Sequence, residues 1–113
     1  MSEYFYARDA RKHYKDLMEA QKDMFQAFLN FNNEIFEKKS ALPRKMKELI
    51  AIAVAHTTQC PYCIEGHVKA AKKEGATDQE IAEAIFVAAA LRAGGTFAHS
   101  TISMGVIKEL EGK

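Results

Sequence analysis

The sequence predicts an all-α fold of about five to six helices, formed by a single domain of 113 residues. Apolar residues recur at three- and four-residue steps through most of the chain, which is the period of a helix. Residues that start or stop helices, such as Pro43, Pro61 and Gly75, separate these runs. No stretch shows the two-residue alternation of a half-buried strand. Because so short a chain builds only a modest core, we expect burial between subunits to add stability.

Residues 1–40 are predicted to form an aromatic helical arm. From Asp9 to Phe36 there is neither Pro nor Gly, so we expect one long helix or two short ones, with a break at Lys22-Asp23. Eight of the eleven aromatic residues fall between Tyr4 and Phe36. Two interpretations of this arm stay open: it contacts another subunit, or it covers the chain's own core.

The predicted core spans residues 42–110 and begins with two helices around the cysteines. The first helix opens near Pro43 and carries apolar residues on several faces, so we expect it to be buried on most sides. The second has Pro61 at its first position and Cys60 at its N-cap, and it ends before Gly75, which supplies a left-handed stop.

Two more helices are predicted to complete the core. Thr77 and Glu80 have the spacing of a capping box, which starts a helix of small and aliphatic residues. We expect Gly94-Gly95 to break it, and a last helix to run from about Thr96 to Leu110. The polar tail, Lys108–Lys113, is expected to fray.

Composition and charge exclude several classes of function. Sixteen Lys and Arg residues nearly balance fifteen Asp and Glu, so we expect no nucleic-acid partner and no membrane partner. No apolar run reaches the length of a membrane span, and the charged N-terminus does not resemble a signal peptide. The cytoplasm is therefore the expected compartment. No flavin, haem or nicotinamide motif is visible, so no cofactor is expected.

Both cysteines lie in one short motif, Cys60-Pro61-Tyr62-Cys63. Thiols three residues apart on one helical turn can close a disulfide with little backbone movement. The unpaired N–H groups at a helix N-terminus favour a thiolate there. His67 follows Cys63 by four residues and so lies on the same helix face, within reach for proton exchange. Gly66 removes side-chain bulk beside this face, which indicates a packing or access role.

Glu48 stands out in an apolar helix twelve residues before Cys60. One interpretation is an exposed carboxylate near Lys45 and Lys47. The other is a partly desolvated carboxyl group beside Ala51, which would suit proton transfer. The sequence does not favour either one.

Three interpretations of the cysteine helix compete. A thiol–disulfide or peroxide-reducing site explains the cysteine pair, the helix start and His67 together. A metal site would use Cys60, Cys63 and His67, with a fourth ligand from His56, His99 or Glu48, but this spacing on one turn strains a tetrahedral site. The third possibility is that these residues are inert parts of the core. We favour the redox interpretation and expect no metal.

With these spacings, Glu48, Cys60-x-x-Cys63 and His67 resemble the signature of the AhpD-like alkylhydroperoxidases, which belong to the carboxymuconolactone decarboxylase superfamily. The likeness covers roughly Leu42 to Phe97. It implies a compact helical AhpD-like fold that assembles as a homo-oligomer, either a trimer or a hexamer.

The resemblance also implies a role for each site residue. Cys63 would be the peroxidatic thiol, Cys60 its resolving partner, and His67 and Glu48 the proton relay. The substrate would be a hydroperoxide or a partner's disulfide, and an external dithiol, such as a lipoyl group or a thioredoxin-like protein, would reduce the pair. AhpD often has a histidine where Tyr62 stands here. The lyase branch lacks the cysteine pair, so a decarboxylase-like lyase is the less favoured alternative.

Overall fold

The chain folds into helices connected by short turns. The computed structural model describes residues 6–112, and these contain no strand. A short 3-10 helix, Arg8–His13, is followed by five α-helices: α1 (Tyr14–Ala20), α2 (Lys22–Phe36), α3 (Arg44–Thr58), α4 (Pro61–Lys73) and α5 (Asp78–Leu110). The predicted all-α class is confirmed. Residues 1–5 and Lys113 lie outside the described part, and so do the expectations that fall on Tyr4 and the last tail residue.

The core lies where α3 packs against α4 and α5. Its fully buried centre is Ile52 of α3 together with Ala71 of α4 and Ala76 in the following turn. The two alanines allow the backbones to approach closely. Partly buried aliphatic side chains surround this centre: Leu49, Val68, Ile81 and Ile85.

The turns around α4 follow the predicted chemistry. Gln59 ends α3 with a left-handed backbone (φ 57°), Cys60 is the N-cap of α4, and Gly75 takes φ 88° just after that helix. Thr77 and Glu80 form both bonds of the capping box, Glu80 N to Thr77 Oγ1 at 3.0 Å and Thr77 N to Glu80 Oε1 at 2.9 Å. The predicted N-cap at Cys60, stop at Gly75 and capping box are confirmed, whereas the left-handed Gln59 was not predicted.

The break in the N-terminal arm lies at Gln21, not at the predicted Lys22-Asp23. Gln21 leaves the helical region with φ −149° and ψ 75°, yet its N–H still donates to the Leu17 carbonyl at 3.1 Å. Its own carbonyl accepts from Phe25 N at 3.0 Å. Because the kink keeps these hydrogen bonds and uses neither Pro nor Gly, the sequence does not mark its position.

The prediction that Gly94-Gly95 divides the C-terminal region is wrong. Both glycines lie within α5, which runs unbroken over 33 residues. Neither takes a positive φ, since the positive-φ glycines among the described residues are Gly75 and Gly112. A glycine in a helix costs only about 1 kcal/mol relative to alanine, which is not enough by itself to end a helix.

The unbroken α5 changes one further expectation. Among the described residues, α5 is the one helix long and apolar enough to cross a bilayer, with a mean hydropathy of 1.4 over its best 18-residue window. Length and composition alone are weak evidence for a span. The sequence indicated no such segment because no run of apolar residues reached the length of a membrane span.

Much of the apolar surface of the chain is exposed. On α3, Met46, Ile50 and Val54 each keep about half of their surface exposed, so the prediction that this helix is buried on most faces is wrong. The buried face of α3 carries Ile52 and Ala55 instead. In the arm, large side chains are also exposed, namely Tyr14, Leu17, Met24, Phe28 and Phe31. The arm therefore leaves these apolar groups uncovered within the chain.

Candidate functional site

The site begins with a buried carboxylate on α3. Glu48 shares its helix face with Ile52 and Ala55, since the three residues are spaced four and three apart, and its side chain is only 1% exposed. The sequence left open whether Glu48 is exposed or desolvated. The structure selects the desolvated alternative.

Both oxygens of this carboxylate have charged or chargeable partners. Glu48 Oε1 lies 2.6 Å from His67 Nδ1, and Oε2 accepts from Arg44 Nε at 2.7 Å. The hydrogen bond to Glu48 raises the pKa of Arg44, and burial opposes that shift. Each oxygen of this buried carboxylate therefore has a hydrogen-bond partner. With Nδ1 of His67 bound to Glu48, Nε2 is the ring nitrogen left for a substrate or a thiol.

The cysteines lie at the start of α4, with Pro61 between the N-cap and the first turn. Cys60 and Cys63 form a disulfide with a Cα–Cα distance of 5.3 Å. Cys60 Sγ also accepts from the Cys63 backbone N–H at 3.2 Å, which is a capping contact. Both sulfurs therefore lie at the positive end of the helix, where a thiolate gains stability.

Cys63 and His67 both line an apolar cleft of about 460 Å³. The end of α2, the exposed face of α3 and the start of α4 enclose it. Its other lining residues are Ile35, Phe36, Leu42, Lys47, Ile50, Ala51, Val54, Ala55 and Thr58. The ring of Phe36 lies 5.1 Å from the His67 ring, tilted by 32°. The cleft thus presents one thiol position and one imidazole to an otherwise mostly aliphatic space.

Tyr62 interacts with the N-terminal segment, residues 6–11. Its hydroxyl donates to the Ala7 carbonyl at 3.2 Å, and the edge of Tyr6 meets its ring at 5.1 Å. Arg11 lies 5.8 Å above the same ring and donates to the Tyr62 carbonyl. The position where AhpD often has a histidine therefore anchors this segment to α4.

Glu65 forms the second anchor of the N-terminal segment. It accepts from Arg8 Nε and Nη2 at 3.1 and 2.7 Å, and from the Tyr6 hydroxyl at 3.1 Å. Hydrogen bonds from Arg8, then Lys69, then Tyr6 hold the pKa of Glu65 well below its ordinary value of 4.5. Gly66 leaves room for Arg11, because a Cβ there would lie 3.3 Å from Arg11 Nη2. The side chain of Arg11 thus lies in the space beside Gly66, for which the sequence predicted a packing or access role.

The remaining histidines lie outside this arrangement. His56 Nδ1 contacts the Ile52 carbonyl at 2.8 Å, and His99 Nδ1 contacts the Gly95 carbonyl at 2.9 Å, each one turn back on its own helix. Within residues 6–112 no three His, Cys, Asp or Glu side chains cluster in a way that could hold a metal ion.

Sequence reasoning brought Glu48, Cys60, Cys63 and His67 to one site but missed two of its neighbours. Arg44 was signalled by its spacing, since an arginine four residues before a glutamate on a helix forms an ion pair. No feature of the sequence indicated Phe36, because its contact depends on how α2 meets α4. The catalytic roles of the four predicted residues stay a prediction.

The comparisons with known proteins identify the family. The model of the carboxymuconolactone decarboxylase family matches residues 22–102. The chain belongs to this family. The matched range includes α2 to α4 and most of α5, and so contains every residue of the cleft. The predicted resemblance is confirmed at the level of the superfamily.

Relatives of this family member carry no assigned activity. It is 52% identical over 86 residues to "Uncharacterized protein 4 in cox locus" of Paracoccus denitrificans, covering 76% of this chain and 77% of that protein. A shorter match, 40% identical over 48 residues, joins it to "Uncharacterized protein YdfG" of Bacillus subtilis, covering 42% of this chain and 33% of that one. A crystal structure of a protein from Methanobacterium thermoautotrophicum has a similar fold, with a TM-score of 0.70, 30% identity, and coverage of 76% of this chain and 96% of that chain.

Proposed function

We propose that this family member is a thiol-dependent oxidoreductase of AhpD type, which reduces hydroperoxides or a partner's disulfide. The observation that carries the proposal is the bonded pair Cys60 and Cys63 at a helix N-terminus, with His67 on the same face and Glu48 2.6 Å behind it. A dithiol that opens and closes needs a stabilised thiolate and a group that moves its proton. This arrangement supplies both.

With a hydroperoxide, the reduced enzyme begins the cycle. Neutral His67 takes the thiol proton of Cys63, and the thiolate attacks the terminal peroxide oxygen. The O–O bond breaks, the alkoxide leaves with the proton from His67 as an alcohol, and Cys63 becomes a sulfenic acid. The Cys60 thiol then attacks the Cys63 sulfur and displaces water. The peroxide gains two electrons, and the two thiols become the disulfide.

An external dithiol closes the cycle. One of its thiolates attacks the enzyme disulfide to form a mixed disulfide, and its second thiol displaces the enzyme dithiol. The reductant leaves as a disulfide after giving up two electrons and two protons. Run in the opposite direction, the same exchange reduces a partner's disulfide. A lipoyl group or a thioredoxin-like protein has the required chemistry.

Turnover of an alkyl hydroperoxide, with dihydrolipoamide as reductant, tests the assignment. We expect Cys63→Ser to abolish the reaction and His67→Ala to slow it by about 10²-fold, the usual contribution of a positioned proton-transfer group. His56→Ala is the matched control, because the hydrogen bond of the His56 ring goes to a carbonyl of its own helix. This variant should keep the wild-type rate. Unchanged rates in both Cys63→Ser and His67→Ala would overturn the proposal, as would a stoichiometric metal ion in the purified protein.

A second candidate is a decarboxylase-like lyase, because the matched family is named for that activity. Here Glu48 and His67 would act as an acid–base pair, and the cysteines would have no part. A carboxymuconolactone assay of the double variant Cys60→Ser, Cys63→Ser distinguishes the two functions. Turnover that survives the loss of both thiols would favour the lyase.

The amount of exposed surface supports a homo-oligomer as the working form, and the resemblance to AhpD-like proteins implies a trimer or a hexamer. The chain exposes 9040 Å², whereas a compact monomer of this size exposes about 6,200 Å². Its Cα radius of gyration is 19.3 Å, against about 13 Å for a compact domain of this length. Light scattering should give three or six times the mass of the chain, and the mass of a single chain would contradict this assembly.

A further inference from the structure

Arg44 has contacts on two sides of the His67 imidazole. Its Nε donates to Glu48 Oε2 at 2.7 Å, and Glu48 Oε1 meets His67 Nδ1 at 2.6 Å. Its guanidinium carbon also lies 5.9 Å from the ring of Phe36, which packs against the His67 ring. Arg44 therefore binds the carboxylate behind the imidazole and lies within cation–π range of the aromatic ring beside it.

Either of two neighbouring cations can balance the negative charge of Glu48. The carboxylate is 1% exposed, so water does little to stabilise its charge, and two cations compete to balance it: Arg44 and protonated His67. When Arg44 balances the charge, His67 has less need to hold a proton. When Arg44 is absent, the carboxylate attracts a proton to His67 more strongly.

The charges that face this group come from several elements. Among the described residues, three carboxylates act on Arg44. Glu48 lies on the same helix, Glu37 at the end of α2 pairs with it at 3.5 Å, and Glu74 at the end of α4 attracts it electrostatically. His67 faces Glu48 across the interface between α3 and α4. The hydrogen bond to Glu48 raises the pKa of Arg44, and this bond joins two groups of opposite charge at 2.7 Å.

We propose that Arg44 is a positioning residue of this site, which acts through Glu48 to keep His67 neutral and ready to accept the Cys63 proton. This inference rests on the proposed function for its catalytic meaning, but its geometry does not depend on which oxidant the enzyme reduces. Arg44 touches no reacting atom. Its role is to supply the positive charge that the imidazole would otherwise supply.

Nitrogen-15 NMR of the His67 ring across the pH range tests this role without any activity measurement. In Arg44→Gln, which keeps a hydrogen-bond donor but loses the charge, we expect the midpoint of the His67 titration to rise by about one pH unit. Lys45→Met is the matched control, since Lys45 is the next residue of α3 and pairs with Glu80 at 3.0 Å, not with Glu48. Its His67 midpoint should equal that of the wild type.

Arg44→Lys provides an independent test if the neutral variant fails to fold. Lysine keeps the charge but not the planar fork of donors, so the His67 midpoint should stay within about 0.3 pH units of the wild type. A Lys variant displaced by a full unit would overturn the proposal, and so would a folded Arg44→Gln protein that titrates like the wild type.

The pH dependence of turnover then connects this charge to catalysis. In Arg44→Gln the acid limb of the rate profile should move up by the same unit, so the rate at pH values well below both midpoints falls about tenfold, while the plateau at high pH is kept. A purely structural role would lower the rate at every pH and would contradict the proposal. If the wild type reduces neither hydroperoxides nor disulfides, the proposed function fails, and the NMR titration still decides the role of Arg44.

Discussion

Replacement of Glu48 by glutamine should destabilise the fold far more than the loss of an ordinary ion pair. Glutamine keeps the shape of the side chain but loses its charge: the amide oxygen can still accept from Arg44, and the amide N–H can meet His67 Nδ1 only if the imidazole changes tautomer. Two charge-assisted hydrogen bonds, at 2.7 and 2.6 Å, are therefore weakened together.

The magnitude follows from burial. A hydrogen bond to a charged group contributes roughly 1.5–3 kcal/mol, and breaking a fully buried pair costs about 3–5 kcal/mol. Arg44 and His67 keep 32% and 28% of their side-chain surface exposed, so water recovers part of the loss. We expect the free energy of unfolding to fall by about 2 kcal/mol at pH 7.

Urea unfolding monitored by circular dichroism, at fixed protein concentration, measures this loss. Glu34→Gln is the matched control, because Glu34 pairs with Lys38 at 2.7 Å while both side chains are more than half exposed. Its loss should stay below about 0.5 kcal/mol. Equal losses in the two variants would refute the reasoning, since Glu48 would then gain nothing from its buried, doubly bonded position.

Three further predictions concern the elements that frame the site. The pKa of Glu65 is lowered in the fold, first by Arg8, so the Arg8–Glu65 contact should be fully present above the ordinary value of 4.5 and be lost only as pH falls well below it. The Arg8 Nε–H resonance should therefore hold its position from pH 8 to pH 5. Movement within that range would contradict the lowered pKa of Glu65. Gly66→Ala should change the free energy of unfolding in urea by less than about 0.5 kcal/mol, because the gain in helix propensity is opposed by the displacement of Arg11 Nη2, 3.3 Å away, which donates to the Tyr62 carbonyl; a gain of about 1 kcal/mol would mean that the Arg11 contact contributes nothing. Thr77→Ala removes the side-chain half of the capping box and should cost about 1 kcal/mol in urea unfolding, and no measurable loss would show that the cap is dispensable.

Local signals in the sequence predicted most of the site. The helix start at Cys60 and Pro61 and the four-residue step from Cys63 to His67 are properties of one helical turn, so spacing alone was enough to describe them. The stop at Gly75 likewise follows from one residue's backbone freedom. Such features depend little on how the helices pack.

Features that depend on how the helices pack could not be predicted from the sequence. Glu48 was equally consistent with exposure and burial, because only its position against α4 decides which side of α3 is covered. The exposed face with Ile50 and Val54 looked buried for the same reason: its apolar residues show that the face meets something, but not whether that partner lies within the chain. Gly94-Gly95 looked like a break, since the helix propensity of two residues does not determine the stability of the 33-residue helix that contains them.

The chemistry of the single-cysteine variants tests the central claim most directly. Reduced Cys60→Ser keeps Cys63, and reduced Cys63→Ser keeps Cys60, and each is mixed with one equivalent of an alkyl hydroperoxide or of oxidised lipoamide before mass analysis. We predict that Cys63 gains one oxygen or a mixed disulfide in the first variant, at a rate that falls when His67 is replaced by alanine, while Cys60 in the second variant reacts at least tenfold more slowly. Equal or faster reaction of Cys60 would contradict the account.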